Sequence, residues 1–293
     1  MKCYLNGNIV DEAEAKISIY DRSYLYGEGV FETLRCYDAK PAFLPRHFRR
    51  LQNNCASLQI PLHIKIEKLG EEVQKLLKAN GQKEAVVRLT ISCEGAAFGI
   101  QKPSGMKTNL SIFSRPLQID PKIYETGVEV AIANSVINDA PQLAGIKSTN
   151  YLVKMKARDE AAALGVHESL LINEKGYIIE GSRTNLFAVK NGVVLTPPLS
   201  DGLLPGITRE VLIEIIRKKN IPFEEVHFTR EMLKEVDELF LTGSTTEVLG
   251  IHTVRNVIKM KRAAVPVVPL QRDAVPLLTS VLHRAYQERA KNE

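Results

Sequence analysis

The sequence predicts an α/β protein of two domains, and three observations carry that prediction. Short apolar runs alternate with helix-periodic stretches through the first 115 residues, a proline-flanked segment follows, and the remainder resumes with a strand, two hairpin signals and further helices. A chain of 293 residues is long enough for two packed domains or one large one. The proline-flanked run Ser114-Arg115-Pro116-Leu117-Gln118-Ile119-Asp120-Pro121 marks a boundary. We therefore divide the chain into a small N-terminal domain, 1–115, a linker, 116–121, and a larger domain, 122–293.

In the first domain, Asn6-Gly7 between Cys3-Tyr4-Leu5 and Asn8-Ile9-Val10 is a hairpin turn signal. Helices are predicted over about 46–57 and 65–79, the second placing Ile66, Leu69, Val73, Leu76 and Leu77 at helical spacing. Strands follow at Ala85–Ser92 and Asn109–Phe113. The second domain opens with a strand at Val128–Ala133, then a helix from about Thr149 to Leu164, where Gly165 can take the left-handed capping conformation. Two hairpins come next: Leu170–Ile172 with Tyr177–Ile179, and Leu186–Val189 with Val193–Leu195 across Asn191-Gly192. A helix over Ile207–Lys218, a strand at Glu238–Leu241 and an amphipathic helix from about Ala274 complete the pattern, without internal repeats or low-complexity tracts.

Composition excludes several classes. A chain with 44% hydrophobic residues and nearly balanced charge reads as a soluble globular protein. The net charge of +5 is spread without a polybasic block, which argues against nucleic acid or an anionic membrane as partner but suits an anionic cofactor. The segment Met1–Gly7 turns within a few residues and lacks the apolar region of a signal peptide, and no stretch approaches a membrane span. Cys3, Cys36, Cys55 and Cys93 are scattered, which predicts reduced, buried thiols in a cytoplasmic protein and no zinc site. Neither a Gly-x-x-x-x-Gly-Lys loop nor a Gly-x-Gly-x-x-Gly turn is present.

The chemistry concentrates in two runs. Lys147 lies in Gly145-Ile146-Lys147-Ser148-Thr149-Asn150-Tyr151, and 33 residues later comes Glu180 in Ile179-Glu180-Gly181-Ser182-Arg183-Thr184-Asn185. An amine that can lose its proton on desolvation and a carboxylate that can keep a pyridine nitrogen protonated are the two demands of pyridoxal 5'-phosphate (PLP). Further runs are Asp21-Arg22-Ser23-Tyr24-Leu25-Tyr26-Gly27-Glu28-Gly29-Val30-Phe31-Glu32-Thr33-Leu34-Arg35, Arg46-His47-Phe48-Arg49-Arg50-Leu51, Gly202-Leu203-Leu204-Pro205-Gly206-Ile207-Thr208-Arg209 and Leu241-Thr242-Gly243-Ser244-Thr245-Thr246-Glu247-Val248. In this order they resemble the class IV, or fold-type IV, aminotransferases: branched-chain and D-amino-acid aminotransferases and 4-amino-4-deoxychorismate lyases. The resemblance runs from about residue 4 to about residue 251.

That resemblance implies a fold-type IV PLP enzyme with a small α/β domain, a larger mixed domain built like a β-barrel, and the cofactor between them in a homodimer. It implies that Lys147 forms the Schiff base and carries the proton at the substrate's α-carbon, while Lys154 and Lys156 face solvent. Glu180 is implied as partner of the pyridine nitrogen and Tyr151 as partner of the phenolic oxygen. Phosphate is assigned to Arg50 and Ser244, and to Leu204, Ile207 and Thr208 around a helix start, where N–H groups and the helix dipole favour an anion. Arg49, about 100° round the helix from Arg50, cannot share that role. Tyr26, Phe31, Arg35 and Arg88 are implied to line the substrate pocket, and the Ser244–Thr245 turn to receive the substrate carboxylate.

The pattern also departs from each subfamily. D-amino-acid aminotransferases carry Thr-Arg-Gly after the strand of Arg88, where this chain reads Ser92-Cys93-Glu94-Gly95, and the lyases usually have an arginine-rich loop there. Branched-chain enzymes usually have a tyrosine two residues before the strand arginine, here Val86, and a Gly-Pro-rich segment replaced by Val265-Pro266-Val267-Val268-Pro269. The reading is transamination between an amino acid and a 2-oxo acid through pyridoxamine phosphate, of a branched-chain L-amino-acid type. The alternatives are a D-amino-acid aminotransferase, a deoxychorismate lyase, a PLP-binding protein without turnover, and an α/β interaction protein without cofactor.

Overall fold

Asn6 and Gly7 take positive φ, 47° and 98°, as a tight two-residue hairpin demands, and fold β1 (Lys2–Leu5) back on β2 (Asn8–Asp11). The structure, a computed structural model, describes residues 1–94, 99–137, 143–256 and 277–293. Two units emerge: Met1–Gln118 with Ile146–Tyr151 and Ala290–Glu293, and Ile119–Gly145 with Leu152–Arg289. The segment bearing Lys147 therefore packs with the first unit, although it lies beyond the 116–121 linker in sequence.

In the first unit, α1 (Arg22–Tyr26) is capped by the Asp21 side chain and closed by Gly27 at φ 69°. β3 (Gly29–Tyr37), β4 (Lys40–Pro41), α2 (Leu44–Ser57), α3 (Ile66–Ala79), β5 (Ala85–Cys93) and β6 (Thr108–Pro116) follow. The six strands form one antiparallel sheet in the order β2-β1-β6-β5-β3-β4. Its core face, with Val30, Leu34, Val87 and Leu89, packs with Phe48 and Leu51 of α2 and Leu69, Val73 and Leu76 of α3. β3 was not among the expected strands. Glu32 and Arg35 interrupt its apolar character, and what makes a strand of it is the full register with β5, Gly29↔Ser92 to Cys36↔Ala85. Side chains alternate along a strand, so Phe31 and Arg35 share the face opposite Val30 and Leu34, and Arg88, paired with Thr33, joins them.

In the second unit, α4 (Ile123–Thr126) precedes β7 (Val128–Ile137), α5 (Leu152–Ala163), β8 (Glu168–Asn173), β9 (Ile178–Gly181), β10 (Asn185–Lys190) and β11 (Val193–Thr196). After α6 (Ile207–Lys218) come β12 (Phe223–Glu225), β13 (Glu238–Gly243), β14 (Glu247–Asn256) and α7 (Leu277–Asn292). The strand order is β12-β11-β10-β13-β14-β7-β8-β9, and β9 pairs again with β10 through Glu180↔Asn185, closing a ring. This is the barrel-like sheet of the fold-type IV enzymes. β9 and β10 are buried almost throughout, as strands covered on both faces must be. Gly165 takes φ 67° just after α5, and α6 has the bounds its periodicity predicted. The predicted start of the last helix at Ala274, like Val265–Pro269, lies outside the described residues.

The helix expected from Thr149 begins only at Leu152. Ser148 instead bridges to Val30, Phe31 N–H donates to Lys147 C=O at 3.0 Å, and Thr149 N–H donates to Gly29 C=O at 2.9 Å. Residues 149–151 of the expected helix are therefore not helical, and the backbone of 147–149 runs along the N-terminal half of β3 through a single isolated bridge.

Candidate active site

In the first unit the candidate residues are positioned by the N-terminal run. Asp21 is fully buried, and its carboxylate accepts from Ser23 N–H at 2.8 Å, Ser92 Oγ–H at 2.6 Å and Asn109 Nδ2–H at 3.0 Å, tying α1 to β5 and β6. Gly29 is required there, because a Cβ would stand 2.2 Å from Ser23 Oγ. The bridge to Val30 then sets Lys147 with its Nζ 4.5 Å from the Phe31 ring centroid and 5.8 Å from that of Tyr151. Phe31 and Tyr151 meet edge to face at 5.3 Å, and the Arg88 guanidinium lies 3.7 Å from the Phe31 centroid. Burial pulls the Arg88 guanidinium below its ordinary range, with Tyr151 opposing. Phe31, Arg88, Lys147 and Tyr151 are therefore brought together. Tyr26 is 39% exposed, with its ring against Arg22, and Arg35 stacks on Tyr37 at 4.6 Å.

On the other face of the sheet a triad connects strand and helix. Glu32, with no exposed surface, accepts from Arg50 Nε and Nη2, each at 2.7 Å, and His47 Nδ1 lies 2.7 Å from its Oε2. Burial raises the Glu32 carboxyl, but the charge and hydrogen bonds of Arg50, and then His47, outweigh it and hold it at about 2. Burial also pulls His47 down, helped by Arg50 and Lys147 and opposed by Glu32. Arg50 is buried and Arg49 exposed, as their offset round the helix requires. The triad was missed in the sequence; its signal was an acid inside an apolar strand run and two basic groups at i, i+3 on the next helix.

The second unit builds a carboxylate. Glu180, 3% exposed, accepts from Leu204 N–H at 3.0 Å and Asn185 Nδ2–H at 3.3 Å on Oε2, and from Lys154 Nζ at 2.6 Å on Oε1. Lys154, expected in solvent, has a side chain only 16% exposed; the ion pair with Glu180 draws it inward, whereas Lys156 is exposed as expected. Asn185 also donates to Leu204 C=O at 2.9 Å. Its Oδ1 explains Gly206, where a Cβ would stand 1.9 Å away. Gly206 opens α6, so the N–H groups of Ile207 and Thr208 begin a twelve-residue helix without a side-chain cap. Thr208 is 2% exposed, its hydroxyl 3.2 Å from that of Tyr286. Ser244 and Thr245 occupy the β13–β14 turn, followed by Glu247 at φ 56°, which His283 and Gln287 of α7 hold at 2.7 and 2.8 Å.

The residues present are of the kinds that PLP requires: in the first unit an amine against aromatic rings, and in the second a buried carboxylate and an uncapped helix start with a hydroxyl. Burial pushes the Cys36 and Cys55 thiols up to about 12, so neither is a thiolate nucleophile near neutral pH. Among the described residues no cluster of His, Cys, Asp and Glu could hold a metal, and no helix is long and apolar enough to cross a membrane.

The family profile described as amino-transferase class IV matches residues 29–254. The chain belongs to the class IV aminotransferases. It is 35% identical over 261 residues to a provisionally named branched-chain-amino-acid aminotransferase of Methanocaldococcus jannaschii, covering 87% of this chain and 88% of that one. A D-alanine aminotransferase of Staphylococcus epidermidis is 32% identical over 255 residues, covering 86% and 89%. The solved branched-chain aminotransferase of Thermoproteus uzoniensis with norvaline superposes with a TM-score of 0.85 at 31% identity, covering 100% of this chain and 96% of the other. This class IV aminotransferase is a PLP-dependent enzyme that transfers an amino group between an amino acid and a 2-oxo acid.

Proposed function

We propose that the enzyme transaminates branched-chain and related apolar L-amino acids with 2-oxoglutarate, acting as a homodimer in the cytoplasm. The observation that carries the substrate class is Arg88. It is a half-buried guanidinium stacked on Phe31, with no carboxylate partner among the described residues. Phe31 and Tyr151 offer an apolar wall to a leucine-like side chain, and Arg88 offers a cation of the kind a distal carboxylate needs, since burying that charge alone costs several kcal/mol. Norvaline in the Thermoproteus structure is an apolar amino acid of this kind. Four free, buried cysteines suit a reducing compartment.

When bound, PLP supplies an aldehyde for the amino group and a protonated ring that draws electrons from the substrate's α-carbon. Lys147 would hold the cofactor through its amine and carry the proton at the substrate's α-carbon. Glu180, held by Leu204 and Asn185, would keep the pyridine nitrogen protonated, and the Tyr151 hydroxyl would serve the phenolic oxygen. Arg50, Ser244, Thr208 and the backbone from Leu204 to Ile207 would hold the phosphate; Tyr26, Phe31, Arg35 and Arg88 would line the substrate pocket, and Ser244 with Thr245 would receive the α-carboxylate.

The test is a panel of L- and D-amino donors with 2-oxoglutarate or pyruvate, together with aminodeoxychorismate. L-leucine with 2-oxoglutarate is expected to be the best pair. The Staphylococcus relative favours a second reading, D-alanine transamination. Against it, the run Ser92-Cys93-Glu94-Gly95 has no arginine where D-amino-acid aminotransferases carry Thr-Arg-Gly, and Ser92 is bound to Asp21. Preference for D-alanine, or release of pyruvate from aminodeoxychorismate, overturns the branched-chain assignment while leaving the cofactor assignment standing.

A further inference from the structure

Lys154 is placed against the preference of its own helix. It lies in the first turn of α5, where the dipole disfavours a cation, and Val153, Met155 and Lys156 around it are exposed. Its own side chain turns inward to the buried Glu180 carboxylate, at 2.6 Å.

The division of labour on that carboxylate is informative. Oε2 already takes the Leu204 N–H and the Asn185 amide, whereas Oε1 takes Lys154. Oε1 is therefore the oxygen left for a pyridine nitrogen, and an ammonium stands on it. A protonated ring approaching Oε1 meets a like charge a few ångströms away, in surroundings where Coulomb forces are poorly screened. A lysine at the exposed first turn of a helix has four flexible methylenes with which to yield.

We propose that Lys154 is the resident counter-cation of Glu180, which competes with the cofactor's pyridine nitrogen for Oε1 and so moderates both cofactor affinity and protonation of the ring. The inference rests on reading Glu180 as the partner of that nitrogen. Lys154 is a positioning residue here, acting on the cofactor only through Glu180. It keeps the carboxylate neutralised before the cofactor arrives, and withdraws from Oε1, or shares it, afterwards.

The test titrates PLP into cofactor-stripped wild type, Lys154→Met, Lys154→Gln, Lys154→Arg and Glu180→Gln, with the nitrogen-15 shift of ring-labelled PLP followed against pH. Lys154→Met is expected to bind PLP about tenfold or more tightly, as removal of a neighbouring like charge implies, and to keep the ring nitrogen protonated to higher pH. Its cofactor-free form should melt at lower temperature, because Glu180 is then buried without a cation. Lys154→Gln, which keeps a donor without the charge, should follow Met if the charge is the cause, and Lys154→Arg should stay near wild type. In the double variant with Glu180→Gln, the effect of Lys154→Met should vanish. If Glu180→Gln changes the nitrogen signal while both neutral Lys154 variants leave affinity and signal unchanged, or weaken binding, Lys154 is only a structural partner and the proposal is overturned. If Glu180→Gln itself leaves the nitrogen signal unchanged, the reading of Glu180 and this inference fall together.

Discussion

Three side chains carry separable consequences. Borohydride treatment of the cofactor-loaded enzyme is expected to fix the cofactor to the peptide containing Lys147; recovery of the adduct on Lys154 or Lys156 would reassign the amine. Glu180→Gln is expected to slow α-proton removal at least tenfold, on the order of 1.4 kcal/mol of barrier, because a neutral ring is a poorer electron sink. Stopped-flow half-reactions at unchanged rate would reduce Glu180 to a strand-end residue. Arg88→Ala should raise KM for 2-oxoglutarate far more than for the oxo acid of leucine, since only the former brings a second carboxylate. An equal rise for both would mean that Arg88 serves the sheet through its stack on Phe31.

At the level of elements, the junction of β9, β10 and α6 is the most exacting part of the second unit. Asn185 bridges Glu180 and Leu204 while its Oδ1 fills the space where a Cβ on Gly206 would stand, 1.9 Å away. Gly206→Ala must therefore displace Asn185, loosening the donors on Glu180 and the start of α6 together. We expect a loss of a few kcal/mol of stability with weakened cofactor binding, both read from thermal melts with and without PLP. Retention of wild-type melting and affinity would show that the junction has slack. These elements were largely readable in sequence, since Asn-Gly turns and helical periodicity are local signals. β3 was not, because its Glu32 is satisfied by His47 and Arg50 on α2, partners that no local pattern names.

The whole molecule should lose stability as pH falls, in two stages. His47 is depressed in the fold, so the stability tied to its neutral form is present above about 6.5 and declines below it. Glu32 has a folded value of about 2 against an ordinary 4.5, so its contribution, on the order of 3 kcal/mol, is complete above the ordinary value and is lost as pH falls towards about 2. Denaturant unfolding across this range should flatten at its acid end in Glu32→Gln, which should also be weaker at neutral pH because Arg50 loses its carboxylate partner. An acid limb unchanged in slope would locate the acid sensitivity elsewhere. For the proposed homodimer, Ile17, Ile19, Tyr20 and Tyr24 are 49–71% exposed in one short segment, an apolar group that a second copy could cover. Ile19→Lys is expected to shift sedimentation towards the monomer, and a wild type that sediments as a monomer contradicts the proposal.

The sequence by itself determined the class of chemistry and most of the elements, because an amine run, a carboxylate run and turn glycines are written in short, ordered stretches that need no knowledge of their neighbours. Tertiary structure alone decided where those residues work. The helix read from about Thr149 begins only at Leu152, because the edge of β3 offers Lys147–Thr149 backbone hydrogen bonds that an isolated first helical turn cannot match. Lys154 read as a solvated lysine and became the partner of a buried acid, because an ionised carboxylate removed from water recruits the nearest cation whatever its sequence position implies. Pattern reports what a segment prefers alone, whereas burial decides which preferences are overruled.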